Sequence, residues 1–130
     1  MAKYVEILNG NIILASKAKY LEHFLPKLKG LMFTLPLRKG KGIVLVAPGE
    51  GILETMIHML FVFYPLDIVW LNSNYEVVDF RKMIMPFTPF VSPNKPAKYV
   101  LELAHGSIKH IKIGDKLMFK DLEEPKSKHI

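Results

Sequence analysis

The chain has no cysteine, which removes disulfides, thiol nucleophiles and thiolate metal sites together. Glutamine is absent too while lysine is abundant, the bias of heat-adapted proteins that avoid thermolabile side chains; seven methionines run against it. A secretion signal is not legible, because "MAKYVEILNG" lacks the charged start, the apolar run of about 7 to 15 residues and the small-residue cleavage site. The expectation is therefore a cytoplasmic protein. A membrane span is lacking as well. The most apolar stretch, "IHMLFVFYPLDIVWLN" at 57–72, is interrupted by His58, Pro65 and Asp67 and closely preceded by Glu54. A spanning helix needs about 20 predominantly apolar residues, and a charge at mid-bilayer costs at least about 2.5 to 3.5 kcal/mol.

What remains is a chain of 130 residues, half of them hydrophobic. That length and composition suit one globular domain with a core of its own. The expected organisation is a single domain over 1–120 and a charged tail over 121–130.

Most of the chain reads as short strands. "KYVEIL" (3–8) and "NIILA" (11–15) flank Asn9 and Gly10, and Asn-Gly between apolar runs is a strong hairpin signal. Ser16 then caps an expected helix over about 17–28, with Ala18, Leu21, Phe24, Leu25 and Leu28 as its apolar stripe and Pro26 as its flaw. "GIVLVA" (42–47) is a strand closed by a "PGEG" turn. "MIHMLFV" (56–62) and "LDIVWLN" (66–72) read as a buried strand pair joined through Pro65. "YEVVDFRKMIM" (75–85) should pair with the strand that carries Trp70, and the four prolines of 86–98 make that segment a surface loop. "YVLEL" (99–103) and "KLMFK" (116–120) are the last strands, separated by a short helical turn near "SIKHI". Leu60, Ile68, Trp70, Val100 and Leu103 are expected in one apolar cluster. The predicted fold class is mainly β (α+β), with one N-terminal helix and that helical turn near the C-terminus.

The order of three elements carries a resemblance. "KGLMF" (29–33), the segment with His58, Met59, Pro65, Leu66 and Asp67, and "YVLELAHGSIKHIKIGDKLMF" with Leu101, Glu102, Leu103, Gly106, Gly114 and Asp115 together resemble the domain-of-unknown-function family numbered 192. The match spans about 17–120. Many relatives have a Trp-Met pair where His58 and Met59 stand, and many carry a secretion signal. The resemblance implies a mainly β domain, a small β-sandwich or barrel-like one, and brings no established activity, cofactor or catalytic residue.

Chemistry must then be weighed on the residues themselves. His58, Asp67, Glu102 and His105 are the polar residues in or beside apolar strands. Converging, they would make an acid/base cluster or a metal site; apart, each satisfies backbone groups. Strand register decides whether His58 and Asp67 share a face, because a slip of one residue turns a side chain to the other side. No dense ligand spacing, serine elbow or phosphate-binding glycine loop occurs, so no cofactor or metal is expected.

Charge is unevenly placed. Residues 1–41 hold eight Lys or Arg against Glu6 and Glu22, whereas 42–130 balance ten against ten. Lys17, Lys27, Lys29, Arg38, Lys39 and Lys41 are the candidate anion-binding residues. Three readings follow. The first is a non-enzymatic module that binds a small molecule or a protein partner. The second is a hydrolase-like or metal-dependent enzyme using His58, Asp67 and Glu102. The third is a weak polyanion or nucleic-acid binder, without the alternating aromatics of a base-stacking platform.

Overall fold

The computed structural model describes residues 3–22, 37–57 and 63–123. Its strands are β1 (Lys3–Asn9), β2 (Ile12–Leu21), β3 (Lys41–Gly51), β4 (Leu66–Leu71), β5 (Val77–Ile84), β6 (Ala97–Ala104) and β7 (Met118–Asp121). They form one mixed sheet in the order β5-β4-β6-β3-β2-β1-β7. Only β2 and β3 run parallel; the other neighbours are antiparallel.

The Asn9-Gly10 hairpin is present: Asn9 pairs with Ile12, and Gly10 takes the φ of 61° that this turn needs. The helix expected over 17–28 is corrected. Residues 17–21 belong to β2, paired on both edges, and exposed Lys17, buried Ala18 and exposed Lys19 alternate with the period of a strand. The remainder of that expected helix lies outside the described residues. So does most of 56–62; its expected partner β4 is already paired by β5 and β6, while Ile57 bridges Val91 instead. "PGEG" is not a turn: β3 runs on irregularly through it until Gly51 pairs with Ala97. No helix forms near "SIKHI"; among the described residues the helical element is one 3-10 turn at Leu53–Thr55. The 75–85 segment does pair with the Trp70 strand, Trp70 facing Asp79.

The sandwich or barrel expectation is likewise corrected, to a single open sheet. The sheet curls strongly. The rings of Tyr99 on β6 and Phe119 on β7 meet at 5.6 Å, although strands four places apart would lie about 19 Å apart if flat. An isolated bridge between Glu76 and Lys116 links the two ends, with Val77 N–H donating to Asp115 O at 2.8 Å and Leu117 N–H to Tyr75 O at 2.9 Å.

Both faces of the central strands are buried, so there are two cores. Val5, Ile7, Val44, Val69, Leu71, Leu101 and Leu103 build one, closed by Ile108, Ile111 and Leu117 from the final loops. Ile43, Leu45, Leu66, Ile68, Trp70 and Val100 build the other, covered by Ile57 and Tyr64. Trp70 Nε1 donates to Thr55 O at 2.8 Å, which satisfies the one polar atom of the largest buried side chain. The cluster expected to unite Ile68, Trp70, Val100 and Leu103 is divided between these cores, since Val100 and Leu103 point to opposite faces of β6; Leu60 lies outside the described residues.

Candidate functional site

The sheet brings the beginning of β4, the end of β6 and the beginning of β3 to one end. Asp67, second residue of β4, is only 2% exposed. Its Oδ1 accepts from Met83 N–H at 2.8 Å, and its Oδ2 accepts from Gly106 N–H at 3.0 Å and Ile108 N–H at 3.3 Å. These charge-assisted bonds clamp the end of β5 and the loop after β6 onto β4. Met83 with φ 50° and Gly106 with φ 92° present their N–H groups from turned backbone. Both oxygens are engaged, so the carboxylate is built in as a structural clamp.

Glu102 is buried differently. It lies on β6 between Ile43 of β3 and Ile68 of β4. None of the hydrogen bonds or ion pairs among the described residues involves its carboxyl, and burial alone pushes that group up to about 7. Asp67 pairs with Leu103, whereas Glu102 pairs with Ile68. The two carboxylates therefore point to opposite faces and form no dyad. His58, the third member of the proposed acid/base set, lies outside the described residues. His105 is exposed and faces the Asp67 clamp across a hollow of about 170 Å³ that Lys82, Met83 and Lys109 also line.

Beside that hollow opens a larger cleft of about 600 Å³. Its lining includes Ile12, Ile13, Leu14, Leu37, Tyr64, Pro65 and Ala104. The same lining carries Ser16, Lys39, His105, Ser107, Lys109 and His110, with no carboxylate among the described lining residues. The Lys39 side is held in place through Gly40, whose carbonyl accepts from Ser16 N–H at 2.8 Å, Lys17 N–H at 3.1 Å and Ser16 Oγ at 3.2 Å. Gly40 itself has φ 87°, a conformation that strains any other residue.

Of the candidate anion-binding residues, Lys39 lines the cleft. Lys17 and Lys41 stand opposite each other on the parallel strands, and Lys17 Nζ rests 4.5 Å from the Tyr4 ring centroid. Arg38 is exposed next to Lys39, and Lys27 and Lys29 lie outside the described residues. Lys109, His110 and Ser107 went unnoticed in the sequence. Their signal is there: 105–114 carries His105, Lys109, His110 and Lys112 without one acid. Among the described residues no three His, Asp or Glu side chains gather to hold a metal ion, and no helix is long and apolar enough to cross a membrane. Phe63, Met85, Phe87 and Phe90 are exposed, with the Phe63 and Phe87 rings edge to face at 5.3 Å.

Comparison with known proteins agrees with this architecture. The chain is 33% identical over 103 residues to a UPF0127 protein of Pyrococcus furiosus, covering 78% of this chain and 84% of that one. It is also 33% identical over 112 residues to a UPF0127 protein of Thermococcus kodakarensis, covering 83% of this chain and 68% of that one. A crystal structure of a protein of unknown function from Novosphingobium aromaticivorans superimposes with a TM-score of 0.73 at 21% identity, covering 91% of this chain and 84% of that one. At that identity the likeness concerns the fold. The family model described as Uncharacterized ACR, COG1430 matches residues 6–119. With nearly the whole described sheet inside that match, the chain belongs to the DUF192 family, whose curated members here carry the name UPF0127.

Proposed function

We propose that this protein is a non-enzymatic binding module that captures a small anionic molecule in the cleft at the end of its sheet. The carrying observation is the lining itself: Lys39, Lys109, His105, His110 and two serines together with apolar side chains, and no carboxylate among the described residues. Pockets that bind small molecules combine an apolar wall with a few convergent polar groups in this way. The lining suits a phosphate or carboxylate group attached to an apolar body. An enzyme built on His58, Asp67 and Glu102 gains less support, because Asp67 is consumed by backbone N–H groups and Glu102 faces away from it.

The test is a thermal-shift screen against phosphate- and carboxylate-bearing metabolites. A ligand at a hundred times its Kd stabilises the fold by about 2.7 kcal/mol, and Lys39→Glu with Lys109→Glu should abolish the shift. A shift that survives the double reversal, or no shift with any anion, overturns the proposal.

A second reading, weak polyanion binding, is favoured by one observation: Lys17 and Lys41 stand side by side on the sheet with Lys39 and Arg38 just before β3. It suits a ligand that extends from the cleft rim across those strands.

A further inference from the structure

Glu102 is the buried group that the anion site leaves unused. Across the sheet its row runs Arg81, Ile68, Glu102, Ile43, Lys19. Both cations stand two strands away, about 9 to 10 Å at the usual strand spacing, with an isoleucine between. Arg81 is moreover taken by Asp79, Nη1 to Oδ1 at 2.6 Å. Asp79, buried on this face opposite Trp70, is the partner of Arg81 and brings no positive charge, and Tyr64 is the other titratable side chain that the described residues place in this core. Among the described residues the protein thus provides no cation for this carboxylate, and an isolated buried charge is expensive.

The cleft lies close by. Along β6 the next residue on the face of Glu102 is Ala104, about 7 Å further on, and Ala104 lines the cleft. A methyl group is all that β6 itself places between the two. Leu37 and Tyr64 belong both to the cleft wall and to the core around Glu102.

We infer that the cleft takes a zwitterionic small molecule, its anionic group held by Lys39 and Lys109 and its primary ammonium directed past Ala104 to the carboxylate of Glu102. The ligand supplies the countercharge that the described residues omit, so an amine at a few carbons from the anion is selected over its absence. This inference rests on the reading of the cleft as an anion site. The two are separable with a matched pair of probes, 3-aminopropylphosphonate and propylphosphonate, titrated by calorimetry near neutral pH.

The amino compound should bind the wild-type chain about tenfold or more tighter than the alkyl compound. Glu102→Gln should erase that preference while leaving propylphosphonate unchanged, with its melting temperature showing that the variant is folded. Lys39→Glu should weaken both probes. Equal affinities in the wild-type chain would overturn the ammonium assignment and leave the anion site standing, and this comparison needs no variant. Failure of both probes to bind would overturn the anion site and the inference together.

Discussion

Asp67 and Glu102 lie on neighbouring strands one step out of register, and they consequently point to opposite faces of the same sheet. Two acids that appear in the sequence as candidates for one cluster thus have separate surroundings. Asp67 is saturated by three backbone donors, whereas Glu102 is packed among aliphatic side chains.

Asp67→Asn should therefore reduce stability by about 1 to 3 kcal/mol, because the shape is kept while the charge-assisted bonds to Met83, Gly106 and Ile108 weaken. Urea unfolding of the variant and the wild-type chain measures the difference. Unchanged stability would mean that the clamp contributes nothing.

Glu102 should give the fold a characteristic pH dependence. Its carboxyl titrates near 7 in the folded chain against an ordinary value of 4.5, so between those limits the folded state holds a proton that the unfolded state has released. Stability then falls as pH rises from about 4.5 to 7 and levels off above, by roughly 2 to 4 kcal/mol in total. Glu102→Gln should flatten this slope and be the more stable protein at pH 8. Identical slopes for variant and wild type in denaturant titrations at pH 5 and 8 would contradict the assignment.

Ile68→Ala should cost about 2 to 5 kcal/mol. Ile68 is wholly buried at the centre of the core that contains Trp70 and Val100, and the strands around it leave little freedom to collapse into the void. Chemical denaturation reads the loss; a cost below about 1 kcal/mol would imply a loosely packed face.

For the polyanion reading, binding to duplex DNA should be weak and indifferent to sequence. Each phosphate neutralised contributes about −0.9 to the slope of log affinity against log salt, so the complex should dissolve between low and physiological salt. Charge reversal at Lys39 and Lys41 should weaken it without unfolding the chain, both side chains being exposed. Tight, sequence-selective binding at physiological salt would call for a different surface.

Local signals in the sequence were dependable where neighbours in the chain are neighbours in space. Asn9-Gly10 announces its hairpin, and the polar "NSN" turn joins β4 to β5 as its composition suggests. Residues 17–21 misled because Ala18 and Leu21 fit a helical stripe equally well; β1 and β3, pairing on both edges, decided the matter for a strand. The second partner of β4 could not be read from adjacency, since β6 arrives from some thirty residues downstream. The cleft was invisible for the same reason: residues 12–16, 37–40, 64–65 and 104–110 meet only in the finished sheet. Of its lining, Lys39 and His105 were legible as charged or titratable side chains, but nothing local indicated that they would face one another's cleft.

The pairing of β7 with β1 has a consequence for the way the chain reaches its fold. Val5 to Leu8 meet Asp121 to Met118, so the first strand is covered on its outer edge by the last. During synthesis β1 can pair with β2 early, yet its other edge stays open until residues 118–121 have been made. An open strand edge invites pairing with a foreign chain, and ladders between such distant segments form slowly, over milliseconds to seconds in two-state β proteins. The vulnerable interval in the life of this protein is thus the one before its final strand is delivered.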